Sequence, residues 1–264
     1  MNNILLGAIA GDVCGSYYEW HRTKNEKSID LFRKDATFTD DTIGTIATAH
    51  ALMEDIPFAE SYQYWFRRYN AKGCGKLFRK WVWDDNYKPY GSFGNGSAMR
   101  VSPVGYVAEN TEQCLNFAKA SAECTHNHPE GIKGAQCVAK FIYNSLHDSP
   151  TLIDDFKYEL FTGWYSEFHP RTLDEIRPNY HFDSSCQGSV PVAVLAFIES
   201  KNYEDCITKA IAMGGDADTL AAMAGSIAYA YYGKMSVRLS EFVLAKLPDE
   251  FKEVITKFDK FVNK

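Results

Sequence analysis

Residues 213–233 decide how this chain folds: Met213-Gly214-Gly215-Asp216-Ala217-Asp218-Thr219, followed without a break by an Ala-, Gly- and Ser-rich run that ends at Tyr232-Gly233. The paired glycines free the backbone for a tight turn. Thr219 then opens a helix whose side chains are mostly small. The apolar stretch over 220–232 is too short to span a bilayer, which needs about 20 residues. The reading is a buried helix, and small residues along it let another helix backbone come close. Residues 2–15 have the same bias to Gly and Ala, which makes them the natural partner.

Helical spacing recurs along the chain and strand alternation is scarce. The expected helices cover 2–20, 41–54, 59–70, 111–124, 131–146, 189–200, 203–213, 218–232, 236–246 and 248–262. The expected loops are 71–75, 84–97, 125–130, 161–188 and 214–216, and 161–188 reads as a long surface loop or a lid. No fixed-period repeat or linker interrupts 1–264, so one all-α domain is expected, a compact orthogonal multi-helix bundle.

The net charge is −6 and the one basic-aromatic stretch, 76–83, is short with acidic neighbours, which argues against a broad nucleic-acid footprint. The apolar run 4–10 lacks a basic leader and is followed by Asp12, so it reads as core rather than signal peptide. Seven cysteines, widely spaced and without a C-x-x-C, argue against a disulfide framework and for a reducing, cytoplasmic setting. A small acidic chain without an evident interaction segment is expected to be a monomer away from membranes.

Five clusters carry chemistry. Thr39-Asp40-Asp41-Thr42 precedes a helix; one helix cap explains one acid but not two acids flanked by two hydroxyls. In the 213–219 turn, Asp216 and Asp218 sit two apart, so an extended turn can point both carboxylates one way. A capped helix with an Asx-turn remains the simpler alternative there. Both turns present the oxygen donors that hard cations such as Mg²⁺ and Mn²⁺ prefer, and together they suggest a shared site for one or two ions. Gly91-Ser92-Phe93-Gly94-Asn95-Gly96 leaves backbone N–H groups free for an anion, with Ser92 and Asn95 as added donors, or is a plain surface turn. Nearby Trp83, Tyr87 and Tyr90 suit packing or purine stacking. Cys124-Thr125-His126-Asn127-His128 lacks a second zinc-ligand cluster, so His126 reads better as a hydrogen-bond donor to a ligand. Asp12 and Glu19 lie on one face of the first helix. Asp12 has a backbone-bonding alternative, and Glu19 sits unfavourably at the helix C-terminus, where a solvated surface acid is the plain alternative.

Gly11-Asp12…Gly15…Glu19, Thr39-Asp40-Asp41-Thr42, Gly94-Asn95-Gly96-Ser97-Ala98-Met99-Arg100, Thr125-His126…Pro129-Glu130-Gly131 and Gly214-Gly215-Asp216-Ala217-Asp218-Thr219 resemble, in this order and over residues 7–233, the ADP-ribosylglycohydrolase family. The resemblance implies an all-α fold and a two-metal site, Mg²⁺ first and Mn²⁺ second, with Thr39, Asp40, Asp41, Asp216, Asp218 and Thr219 as ligands. It implies ADP-ribose contacts from Ser92, Phe93, Gly94, Asn95, Gly96 and His126, with Tyr87 as a looser match to an adenine-stacking aromatic. Glu19 matches a Glu on a mobile flap in some members. The implied reaction is hydrolysis at ribose C1 of an ADP-ribosylated protein or small-molecule conjugate, with Glu19, Asp41 or Asp216 as base. The loop over 20–38 is shorter than in several relatives, which leaves the acceptor open, arginine-linked ADP-ribose being favoured. A non-catalytic ADP-ribose binder, or a hydrolase of a free derivative such as O-acetyl-ADP-ribose, are the competing readings.

Overall fold

The computed structural model describes residues 3–70, 73–147 and 153–263. Residue 2 of the expected first helix and residues 71 and 72 of the expected 71–75 loop lie outside the described residues. In chain order the α-helices are α1 (Leu6–Trp20), α2 (Asp40–Glu54), α3 (Phe58–Arg68), α4 (Lys76–Val82), α5 (Gly96–Met99), α6 (Ser102–Val107), α7 (Thr111–Glu123), α8 (Pro129–His147), α9 (Ile153–Glu159), α10 (Leu173–Ile176), α11 (Cys186–Ile198), α12 (Tyr203–Ile211), α13 (Ala217–Tyr232), α14 (Val237–Leu244) and α15 (Asp249–Val262). Among the described residues there is no strand, only an isolated antiparallel bridge between Gly94 and Ser185. The fold is all-α.

The pairing of α1 with α13 organises the molecule, because small residues remove the side chains that would hold the two backbones apart. A Cβ on Gly11 would stand 2.0 Å from the Ala221 carbonyl oxygen, and one on Gly15 would stand 2.5 Å from Asp218 Cα. Both helices are buried along nearly their whole length. α8, α11 and α12 also pack on α13, while α2 packs on α1, α3, α6 and α15. One apolar cluster runs from Ile4 to Phe258 through these elements. Asp259 on α15 accepts the backbone N–H groups of Asn3 and Ile4 at 2.6 and 2.9 Å, fastening the start of α1 to the last helix.

The structure departs from the sequence expectation in the short elements. α4, α6 and α9 have seven, six and seven residues, too few turns for an apolar period to show. α11 begins at Cys186 rather than 189, because the Ser185 side chain accepts the Gly188 N–H and caps the helix earlier. The 161–188 stretch is not a single loop. It carries most of a π-helical turn at Leu160–Trp164, 3₁₀ turns at Ser166–Phe168 and Arg177–Asn179, and α10, whose start is fixed by a reciprocal Thr172–Glu175 capping box. All seven cysteines are free.

Candidate active site

Three helix ends meet where α1 stops and α2 and α13 begin. At the first Asp turn, Thr39 is the cap: its hydroxyl accepts the Asp41 N–H at 3.3 Å. Neither Asp40 nor Asp41 is used as the cap. At the second turn, Asp216 occupies the cap position but makes no capping hydrogen bond. Its Oδ2 instead accepts from Asn95 Nδ2 at 2.9 Å. The capped-helix alternative therefore accounts for Thr39 and leaves the acids over.

The acids converge. Asp12, Asp41 and Asp218 each offer a carboxylate oxygen, all within 4.8 Å of one another, and all three side chains are buried. From the sequence, Asp12 shares a helix face with Glu19, and backbone bonding is its plain alternative. It accepts from the Thr39 N–H at 2.9 Å, the Thr39 hydroxyl at 2.7 Å, the Thr42 N–H at 3.1 Å and the Thr42 hydroxyl. Those four bonds use it to hold the first Asp turn against α1. Asp41 Oδ2 receives the Thr219 hydroxyl at 3.3 Å and lies 3.2 Å from the Thr39 hydroxyl oxygen, whose shorter bond goes to Asp12, while its Oδ1 is buried without a partner. None of the five aspartates at the two turns and on α1 forms an ion pair with a described Lys, Arg or His.

Burial is the first cause that pushes all five above the usual carboxylate range. Neighbouring carboxylates add to it for Asp41, Asp218 and Asp40, the last reaching about 7. At Asp216 the Asn95 hydrogen bond works in the opposite direction. Glu19 is also raised, first by burial and then by the Asp216 charge. A crowd of desolvated carboxylates with an orphaned oxygen lacks positive charge. Hydroxyl and carboxylate oxygens are the donors a hard divalent cation takes.

A cavity of about 560 Å³ opens over this cluster. Asp40, Asp41, Asp216, Asp218, Thr219 and Glu19 line it on the acidic side. Ser92, Gly94, Asn95, Gly96 and His126 line it as well. Thr39 lies behind the lining. Tyr87 and Phe93 are not part of it: Tyr87 packs on Trp81 with ring centroids 5.1 Å apart, and Phe93 is 49% exposed with its ring against His128. The aromatic rings that line the cavity are Phe78, Tyr90 and Phe182. Arg100, Cys74, Phe182 and Ser184 also border the cavity; none of them is given a role by the sequence alone, although Arg100 ends the Gly94–Arg100 stretch, Cys74 lies in the 71–75 loop, and Phe182 and Ser184 fall in the 161–188 stretch read as a potential lid. His126 Nδ1 lies 2.7 Å from the Thr125 hydroxyl, and burial followed by the Arg100 charge holds its imidazole well below the ordinary histidine range.

An all-α chain with an acidic centre under a ligand-sized cavity is thereby defined. The ADP-ribosylglycohydrolase family model matches residues 2–262, and the chain belongs to that family of enzymes that hydrolyse ADP-ribosyl groups. It is 25% identical over 305 residues to the human ADP-ribosylhydrolase ARH3, covering 87% of this chain and 84% of that one. It is 24% identical over 272 residues to the ADP-ribosylarginine hydrolase Tri1 of Pseudomonas putida (strain GB-1), covering 87% and 69%. A solved structure described as an ADP-ribosylglycohydrolase-related protein complex superposes with a TM-score of 0.71 at 22% identity, covering 99% of this chain and 97% of the other, and shares the fold. Among the described residues no helix is long and apolar enough to cross a membrane.

Proposed function

We propose that this enzyme hydrolyses the glycosidic bond at ribose C1 of an ADP-ribosylated acceptor and releases ADP-ribose, with Thr39, Asp40, Asp41, Asp216, Asp218 and Thr219 holding two divalent cations, Mg²⁺ first and Mn²⁺ second. The observation that carries this reading is the buried, uncompensated carboxylate cluster with its orphaned Asp41 Oδ1 beneath the cavity. When bound, the cations supply charge neutralisation and Lewis-acid activation of water.

The protein's own groups do the rest. Ser92, the backbone of residues 94–96 and His126 bind the diphosphate and ribose. Asn95 is bonded to Asp216, so the loop that grips the substrate is fixed to the acidic turn that faces C1. That rigid link contributes orientation, worth several kcal/mol in well-placed reactions (about 7–11 at the upper end). Bond cleavage passes through an oxocarbenium-like state and needs a base for water. Asp41 and Asp216 are tied by hydrogen bonds to Thr and Asn side chains. Glu19, half-buried at the end of α1 and lining the cavity, is outside that Thr and Asn network and is the group we assign to take and return the proton. Arginine-linked ADP-ribose is the first acceptor to assay, since one relative acts on it by name.

The test is chromatographic detection of ADP-ribose released from arginine-, serine- and nucleobase-linked conjugates and from O-acetyl-ADP-ribose, with Mg²⁺, Mn²⁺ or chelator. Release that is lost with chelator and in Asp218→Ala is expected. Silence on every conjugate would replace hydrolysis by binding, and an unchanged rate in Asp218→Ala would remove the cation assignment.

A further inference from the structure

Arg100 is a buried cation without an ion pair among the described residues. It is 1% exposed, its guanidinium carbon lies 4.0 Å from the Tyr62 ring centroid, and its Nε has no partner. Burying a lone guanidinium is costly, so its position calls for a use. Arg100 Nη2 donates to the Ser121 carbonyl and to the Thr125 hydroxyl, both at 2.9 Å.

We propose that Arg100 is a positioning residue for this reaction: acting through Thr125, it selects the tautomer of His126 that presents Nε2–H to an anionic diphosphate. The ligand half of the proposal rests on the ADP-ribose reading above. The directions of the hydrogen bonds follow from chemistry. A guanidinium only donates, so Thr125 Oγ1 must accept from Arg100. The Thr125 hydroxyl proton then has two acceptors, the Ala122 carbonyl at 3.5 Å and His126 Nδ1 at 2.7 Å. The first is at the limit of a hydrogen bond and the second is full strength. The hydroxyl therefore donates to Nδ1, and the single proton of the neutral imidazole stays on Nε2. That nitrogen faces the glycine-rich loop: a Cβ on Gly96 would lie 3.0 Å from it and one on Gly94 3.6 Å. Arg100 fills one of the two acceptor positions of Oγ1, and its positive charge disfavours a second donor, Nδ1–H, at the same oxygen. Without Arg100 that bias is lost and Nδ1–H can be accepted, which would turn a bare Nε2 lone pair towards the anion.

The experiment uses the full chain, ¹⁵N-labelled and free of divalent ions. Long-range ¹H–¹⁵N spectra of the His126 ring report the tautomer, and calorimetry with ADP-ribose reports binding. The wild type is expected as the Nε2–H form. Arg100→Met and Thr125→Val are each expected to populate Nδ1–H and to bind ADP-ribose about tenfold more weakly. Their double variant should lose no more than either alone, because both break one relay. Arg100→Lys, which keeps a donor, should retain the tautomer and most of the affinity. If Arg100→Met does not fold, the wild-type spectrum and Thr125→Val still decide. A wild-type Nδ1–H tautomer overturns the relay. Wild-type affinity in Thr125→Val beside a loss in Arg100→Met also overturns it, in favour of direct contact. An Nε2–H wild type that binds no ADP-ribose, with or without divalent ions, overturns the ligand assignment and the functional reading together.

Discussion

Asn95 Nδ2 donates to Asp216 Oδ2 at 2.9 Å, which makes the glycine-rich loop and the second Asp turn one mechanical unit although they come from distant parts of the chain. Asn95→Ala should free both. We expect kcat to fall about 10–100-fold, with a smaller rise in KM, as a lost orientation term would give. Steady-state kinetics on the best conjugate checks this, and a pure KM effect would argue against the link.

Asp41 sits at the centre of the buried charge. Asp41→Asn should abolish ADP-ribose release yet stabilise the metal-free protein by about 1–3 kcal/mol, because it removes a desolvated like charge. Urea denaturation in chelator, with and without the substitution, measures the change. The same variant should lose most of the rise in Tm that Mg²⁺ or Mn²⁺ gives the wild type.

Metal-free stability should fall as pH rises. Asp41 and Asp218 are raised well above the ordinary carboxylate value of 3.8 and partly exposed Asp40 to about 7. Below the unfolded value both states are protonated and nothing is lost. Between that value and the folded one, only the unfolded chain ionises, so the native state loses ground, and the loss is complete above the folded value. Thermal scans in chelator from pH 5 to 8 should show a declining Tm, with the gain from added divalent ion largest at pH 8. A Tm that climbs with pH would contradict the assigned electrostatics.

Tyr90, not Tyr87, borders the cavity. Tyr90→Ala is expected to weaken ADP-ribose binding about tenfold or more, and Tyr87→Ala by less than about threefold. Calorimetry on both separates a stacking role from a packing role.

Gly11 has no room for a methyl group, since its Cβ would meet the Ala221 carbonyl oxygen at 2.0 Å. Gly11→Ala should cost about 1–3 kcal/mol or more by forcing α1 off α13. Activity should fall with it, because the neighbouring Asp12 anchors the first Asp turn. Denaturation midpoints and turnover are the paired measurements.

Much of this was legible in the chain. The helices with strong caps or small-residue faces stand close to where their sequences put them: Asn202 caps α12, Ser236 caps α14 and the Gly- and Ala-rich runs form α1 and α13. The short helices were not legible, because Pro103 and Gly105 in α6 read as breakers and six residues show no period. Within the cavity, the acids announced themselves as doublets at helix starts. Arg100 did not, since its meaning lies in a contact with Thr125 on another element. Nor did spacing tell Tyr90 from Tyr87, because which ring turns inward depends on Trp81 and its neighbours.

The intimate seating of α1 on α13 has a consequence for biosynthesis. Its two halves lie near opposite ends of the sequence, so the acidic centre is a high-contact-order feature that no local segment can assemble. At about 5–20 residues per second, the glycine-lined face of α1 waits roughly 10–40 s for its partner. During that interval the nascent chain carries the first Asp turn with nothing to close it, and the face is open to chaperones and to misassembly. Premature termination before the second Asp turn would leave a product that has Asp12, Asp40 and Asp41 but neither Asp216 nor Asp218, and no working centre.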